Sequence, residues 1–589
     1  MNVWKFIVFS KVAAIMLATF LSVSAQESRP DFNRPRSYDV RHYIIRVKFD
    51  RAKKMVFGDT TVQLSPLKKG MSLLELDAAG LAFSSVLNET SGKRLKFKTK
   101  GEKVFVTLDR AATPEEVISL RFKYSATPKK GVYFVNELKE NGRVINAAQI
   151  WTQGEPDEAH HWFPSFDFPS DKATSEEIIT VEKGETVIGN GELVQRTDGP
   201  GATQTFHFKM PVPHSTYLTS FVVGKYSRVA GNYKDIELGY YVYPGTQSIV
   251  KPAYGKTADI LRTFEELTGV AYPFNKYDQT VVSGFTFGGM ENITATTMAD
   301  TEIFAATSDL SKAGVEDLVS HEAAHSWFGN LVTCRNWAEL WLNEGFATFM
   351  EAAFREKTYG RDSYIRKIRS DAAIFLADDV VNKDRNGLFN RNAADVNRLF
   401  DRPATTYNKG GVVLHMLREE IGDAAFWKGV NIYLNRHKFD SVESGDLRKA
   451  MEESSGTNLK WFFEQWVYGI GSPKISITQS FNAATKILTL SIEQTQNMDK
   501  LTPAAFTLPM DVEITTDAGI EIEKLKIGKR KESFPIKLDG APSEIMLDRM
   551  EKIPLKTVKI LPLRSERPAI TTVIRTKKVP REIRGTFSL

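Results

Sequence analysis

The sequence predicts a multidomain α+β protein, and three observations predict it. A chain of 589 residues is too long to fold around one hydrophobic core. Apolar residues alternate with a period of two from about residue 37 to 229 and again from about 474 to 563. Between those stretches the period is helical, from roughly residue 300 to 468. The expected boundaries are an antiparallel β domain over 26–230, a helix-rich α/β domain over 231–472 and a β-sandwich over 473–563. A composition of 42% hydrophobic and 25% charged residues is ordinary for a soluble globular chain. The net charge of +6 is small for this length, and no phosphate loop or basic-aromatic array accompanies it, so nucleic acid is not an expected partner.

At the N-terminus, Lys5 and Lys11 precede an apolar run from Val12 to Leu21 and then Val23-Ser24-Ala25. This predicts a secretory signal peptide over 1–25, cleaved after Ala25, with no membrane span left afterwards. The lone Cys334 excludes an intrachain disulfide, which in an exported protein fits a bacterial periplasm or medium. Cys334 itself reads as a small core residue.

In the first β region, segments such as Tyr43–Phe49, Val104–Leu108 and Thr205–Phe208 alternate between apolar and polar residues. The stretch from Trp151 through Gln153-Gly154-Glu155 to His160-His161-Trp162-Phe163-Pro164 breaks the alternation and reads as a loop, either at a cleft or on the surface. The adjacent His160 and His161 lack metal-ligand spacing. Further on, Gly284 to Asn292 is a glycine-rich strand end where backbone can approach a ligand closely.

The chemistry centres on His321-Glu322-Ala323-Ala324-His325, followed after eighteen intervening residues by Glu344. Two His four apart on a helix share one face and reach one metal ion. Glu344 from a separate helix completes a two-His, one-carboxylate zinc set with an open fourth position, one Zn2+ per chain. Glu322 lies off the line of the two ligands, free to act as general base. The first helix is expected over Val315–Leu331 with Glu316 and Asp317 in its first turn, and the second over Asn336–Lys357. Glu351, seven residues after Glu344, either orients a ligand imidazole or is a solvated helical Glu. Tyr407 to Gly411 opens another helix, whose His415 reads as a core histidine. A basic tail over 564–589 is expected to be poorly ordered.

Together these motifs resemble the zinc aminopeptidases of the alanyl-aminopeptidase type (peptidase family M-one, gluzincins), whose relatives include the bifunctional leukotriene hydrolase. The signatures are the HExxH with Glu344, the Gly288-Gly289-Met290-Glu291-Asn292 box, Tyr407 before Lys409-Gly410, and Gln153-Gly154-Glu155 leading to Phe163-Pro164. They cover about Tyr38 to Leu563. The resemblance implies a β saddle, a thermolysin-like catalytic domain and a β-sandwich. It usually implies a large C-terminal helical domain as well, which this chain is expected to lack. It further implies that Tyr407 stabilises the oxyanion. Glu291, with Glu155 and Gln153, would hold the substrate's free amine, while Gly288, Gly289 and Met290 line the extended peptide. Gly289 stands where many relatives carry Ala. The expected substrates are peptides with a free N-terminus. A zinc endopeptidase, a lipid epoxide hydrolase and a catalytically silent peptide-binding module stay open as alternatives. Preferred residue and oligomeric state are not legible.

Overall fold

The computed structural model describes residues 29–141, 143–382 and 385–561, with the side chains of 143–146 left aside. The signal-peptide and basic-tail expectations lie outside the described residues. From Arg34 onward the chain clusters as one unit.

An eight-stranded sheet dominates the N-terminal part, in the order Glu192–Asp198, Thr203–His214, Ala173–Glu182, Tyr38–Asp50, Met55–Pro66, Ile118–Ala126, Ala82–Asn88 and Lys93–Arg94. The strand Tyr38–Asp50 shows how pattern becomes register. Tyr38 and Val40 are buried, the register against Met55–Pro66 then shifts between Val40 and His42, and burial resumes at Tyr43, Ile45 and Val47. One extra residue at Arg41 changes which parity faces the core. The sheet is not wholly antiparallel as expected: Tyr38–Asp50 pairs in parallel with Ala173–Glu182, His42 facing Thr174 through Lys48 facing Thr180. A period of two records faces but not strand direction, so this crossover was invisible in the sequence.

A four-stranded sheet carries Gln149–Thr152 between Val132–Val135 and Phe221–Gly224. The surface reading of the loop that follows is corrected here. Gln153, Glu155, His160, Trp162 and Phe163 are all buried, because Trp162 and Phe163 belong to the core of the large sheet.

Next comes a five-stranded sheet ordered Ser227–Tyr233, Ile236–Val242, Lys276–Val282, Ala295–Ala299 and Gly289–Met290. Its edge strand, Gly289–Met290, runs antiparallel to Ala295–Ala299. The helices follow: Lys312–Ala324, Trp341–Tyr359, Arg361–Val381 and Gly410–Ile421. The first begins earlier and ends sooner than expected. Glu316 and Asp317 therefore fall in its second turn, where Asp317 takes a fork from Arg355 rather than serving the helix dipole. His325 is its C-cap residue, and the chain then turns back through Gly329, whose φ of 131° requires glycine. A single turn, Trp337–Glu339, capped by the Asn336 side chain, precedes Trp341–Tyr359. Beyond these, a four-stranded and a three-stranded sheet bury Leu488, Leu490 and Ile492 together with Met510, Val512 and Ile514. Among the described residues no helix is long and apolar enough to cross a membrane.

Candidate active site

A cleft of about 720 Å³ gathers every site residue expected from the sequence: Gln153, Glu155, Gly288, Gly289, Met290, Glu291, His321, Glu322, His325, Glu344, Glu351 and Tyr407. The β lobe contributes the first two, the strand edge the next four and the helices the rest.

The inner end is built by two helices. His321 and His325 project from one helix with ring centroids 4.8 Å apart. His321 Nδ1 lies 2.8 Å from Glu351 Oε1, and its Nε2 lies 3.2 Å from Glu344 Oε2. His325 Nδ1 lies 2.9 Å from the Phe328 carbonyl oxygen, and its Nε2 lies 3.4 Å from the same Glu344 oxygen. With Nδ1–H given to an outer acceptor, each ring turns its Nε2 lone pair inward, as a ligand imidazole must. In a tetrahedral zinc site with bonds near 2.0–2.1 Å, neighbouring donor atoms sit about 3.3 Å apart. The two measured separations fit that figure.

Two further acidic groupings share the cleft, Glu291 with Glu322 and His325, and Glu155 with Glu291 and Glu344. Only the first trio, His321, His325 and Glu344, supplies two nitrogens and one oxygen, the donor set that suits zinc. The all-carboxylate trio suits a cation with hydrogens to donate.

Electrostatics separate these groups. Burial pulls the His321 imidazole down, but hydrogen bonds to Glu344 and Glu351 outweigh it and raise it to about 9. Burial pushes Glu344 up, and the two histidines overcome that and hold it at about 2. Glu322 lacks such support, and burial raises it to about 8 against the pull of His321 and His325. Burial and then Glu291 and Glu344 push Glu155 well above the carboxylate range. Glu291 is raised by burial, opposed first by His325. Burial, then Glu344 and Glu155, hold the Tyr407 phenol protonated far above neutral pH.

Three acceptor oxygens in the cleft, Gln153 Oε1, Glu155 Oε1 and Glu322 Oε2, are buried with no donor among the described residues. A buried acceptor without a partner costs about 1–3 kcal/mol, so the cluster calls for donors. Gln153 Nε2 is turned away toward Met290 Sδ at 3.3 Å, which joins the β lobe to the strand edge.

Sequence reasoning missed several supports. Tyr217 is buried with its hydroxyl 3.5 Å from Glu291 Oε1, and Asn343 Nδ2 donates to that hydroxyl at 3.3 Å. Asn330 Nδ2 donates to the Glu291 carbonyl at 2.8 Å. Behind His321, Lys367 Nζ bridges Glu351 Oε2 at 2.9 Å and Asp371 at 2.8 Å, and Asn408, next to Tyr407, donates to Asp371 at 2.9 Å. The spacing of Lys367 and Asp371, four apart on a helix, was the one available signal, and it looks the same in any solvated pair. Glu351, left between two readings by the sequence, is buried and hydrogen-bonded to the His321 imidazole. Gly289 has a second use as well. A Cβ there would lie 2.2 Å from Glu322 Oε1, so the Glu322 side chain packs against bare backbone. His415 is buried between the Tyr364 hydroxyl and the Glu551 carbonyl, each 2.7 Å away.

Two family profiles match this chain: the Peptidase M1 N-terminal domain over residues 35–218 and the Peptidase family M1 domain over 253–466. Among similar proteins, "Probable aminopeptidase 2" of Sulfurisphaera tokodaii is 28% identical over 479 residues, 80% of this chain and 58% of that protein. "Aminopeptidase N" of Streptomyces lividans is 33% identical over 348 residues, 56% of this chain and 39% of that protein. "Aminopeptidase 2" of Candida albicans is 28% identical over 380 residues, 62% and 40% respectively. The chain thus spans about two fifths to three fifths of the length of the curated relatives it matches. Both profiles are of one family and fall in that family's order, on the residues that form the two sides of the cleft. This chain belongs to peptidase family M1.

Proposed function

We propose that this protein is a zinc-dependent aminopeptidase that removes N-terminal residues from peptides. The observation that carries it is the pairing, in one cleft, of a zinc-fitting His321–His325–Glu344 trio with buried carboxylates that lack donors. Held by those three residues, zinc supplies a Lewis acid and a water acidified to near neutral pH.

The chain's own groups do the rest. Glu322, packed against the bare backbone of Gly289, accepts the proton of the attacking water and passes it to the leaving amine. Tyr407 stays a neutral phenol and donates a hydrogen bond to the oxygen that becomes negative. Its ring lies 5.9 Å from that of His321 and nearly parallel to it, which keeps the hydroxyl at the inner end of the cleft. Glu291 and Glu155 accept hydrogen bonds from the substrate's α-ammonium, each worth roughly 1.5–3 kcal/mol when shielded from water. An internal peptide segment brings no ammonium and leaves both carboxylates buried without a cation from the substrate. That difference separates an exopeptidase from an endopeptidase. The Gly289–Met290 edge strand, paired on one side only, receives the peptide backbone in extended form. Export through the leader of residues 1–25 belongs to the same proposal and is checked by the mass of the mature N-terminus.

The test uses amino-acyl chromogenic amides and their N-acetylated counterparts. The expected result is hydrolysis of the free amides only, falling by roughly 10²–10⁴-fold in Glu322→Gln while zinc content is unchanged. Equal cleavage of acetylated substrates would replace this reading with an endopeptidase.

A further inference from the structure

A second hollow, of about 210 Å³, shares Gln153, Glu155 and Phe287 with the main cleft. Aromatic rings form its walls. Tyr133 stacks on Trp151 with centroids 4.4 Å apart, and Phe285 meets Trp151 edge-on at 5.4 Å. Phe287 lies 5.9 Å from Phe285 and 5.8 Å from Phe400. The segments that supply the amine-binding carboxylates also supply these rings. Trp151 precedes Gln153 and Glu155, Phe287 precedes the Gly288–Glu291 edge, and Trp151 Nε1 ties the two segments by donating to the Ser283 carbonyl at 3.1 Å.

Past Glu155 the chain brings two more carboxylates to the hollow. Glu158 is engaged: it accepts from the Gly131 N–H at 3.0 Å and the Tyr133 hydroxyl at 2.9 Å, and Lys130 Nζ lies 3.8 Å from its other oxygen. Asp157 is half-buried, and among the described residues no cation lies within 4 Å of its carboxylate. The neighbouring His160 is committed to Asp167 at 2.8 Å. Burial and Asp167 raise the Asp157 carboxyl to about 6, with His160 and Lys130 pulling the other way, so it is ionised at neutral pH. The hollow therefore combines apolar ring faces with two carboxylates, Asp157 and Glu158, against the one ammonium of Lys130, which lies on the Glu158 side.

We infer that this hollow receives the side chain of the substrate's N-terminal residue and selects long cationic side chains, arginine and lysine, through the aromatic walls and Asp157. The inference rests on the aminopeptidase reading. With the amine at Glu155 and Glu291 and the scissile carbonyl at the histidine end, the side chain leaves the first Cα between them, where Glu155 and Phe287 border the hollow. The methylene stem of arginine or lysine packs on the rings, its cation lies over their negative faces, and Asp157 becomes its counter-charge. An apolar side chain fills the hollow but brings Asp157 no counter-charge, and an acidic one meets Asp157 and Glu158 at like charge.

The test is kcat/KM for a panel of free Arg, Lys, Leu, Ala and Glu amides with the full chain. The expected result is Arg and Lys about tenfold or more above Leu, the factor one charge-assisted contact supplies, with Glu lowest. Asp157→Asn should collapse the Arg-to-Leu ratio by about the same factor, and Asp157→Lys should invert the Arg-to-Glu order. Ratios within one preparation do not depend on how much of the variant folds. Leu equal to or above Arg in the wild type, or a ratio unmoved in Asp157→Asn, overturns the inference and leaves the aminopeptidase standing. No cleavage of any free amide overturns both.

Discussion

Lys367 shows how one residue missing from the sequence motifs can govern the site. It is almost enclosed and bridges Glu351 and Asp371, so the chain His321–Glu351–Lys367–Asp371–Asn408 joins a ligand imidazole to the neighbour of Tyr407. Burial alone would lower its ammonium, and the carboxylates of Glu351 and Asp371 overcome that and keep it charged. Lys367→Met leaves two buried carboxylates without their cation, a change that costs about 3–5 kcal/mol. The expected outcome is a lower thermal midpoint together with a reduced kcat, and wild-type values for both would remove the bridge from any role. The pKa values of the neighbouring groups also set a pH dependence for the metal-free protein. Glu322 binds its proton up to about 8 in the fold against 4.5 for a carboxyl in water, and His321 keeps its own to about 9 against 6.5. In both windows the folded chain holds more protons than the unfolded one, so stability falls as pH rises through them. Chelated protein should therefore melt lower at pH 9 than at pH 6.5. Metal affinity should rise over the same interval, because bound metal replaces the imidazole protons.

At the scale of elements, the site depends on how closely two helices cross. A Cβ on Gly345 would lie 2.9 Å from the Gly410 Cα, and one on Gly410 would lie 2.8 Å from the Gly345 Cα. These glycines directly follow Glu344 and Lys409, so the contact sets the distance between Glu344 and the segment bearing Tyr407. That segment, Ala404–Lys409, is a π-helical turn running straight into Gly410–Ile421. It was expected as an ordinary helix start. Widened turns of this kind recur at functional sites because they re-aim side chains. Gly410→Ala meets backbone, which cannot yield as a side-chain tip can. The expected cost is about 1–3 kcal/mol with kcat reduced more than KM is changed. A variant with unaltered kcat would show that Tyr407 does not depend on the crossing. By contrast, a Cβ on Gly289 would meet the Glu322 side chain, from Cγ to Oε1, rather than backbone.

For the whole molecule, the cleft lies where the β lobe, a sheet edge and the helices meet. Glu155, Glu291, Glu322 and Glu344 crowd two histidines, and Tyr217, Asn330 and Lys367 hold the arrangement from behind. A cation held by His321, His325 and Glu344 would link the helix Lys312–Ala324 to Trp341–Tyr359 and relieve this crowding. Zinc should stabilise the fold by roughly 4 kcal/mol when present at a thousand times its Kd. Calorimetry should show a lower midpoint after chelation and recovery on adding zinc. A midpoint indifferent to both treatments would place the metal elsewhere.

Local pattern in the sequence determined the alternation of strands and helices, the two-histidine helix, the third carboxylate and the glycine box. Each follows from periodicity or from side chains a few residues apart on one element. Direction of the Tyr38–Ala173 strand pair, burial of the Gln153–Glu155 loop and the partners of Lys367 were settled only by folding, since each joins residues far apart along the chain. Glu351 marks the boundary between the two. Spacing put it on the face of Glu344, and only the approach of His321 from another helix gave it a partner. The histidine pair and Glu344 were legible as a metal site because donor chemistry is carried by residue type and spacing. What sits around them, from Tyr217 behind Glu291 to the aromatic hollow beside Glu155, depends on contacts between segments that no local pattern encodes.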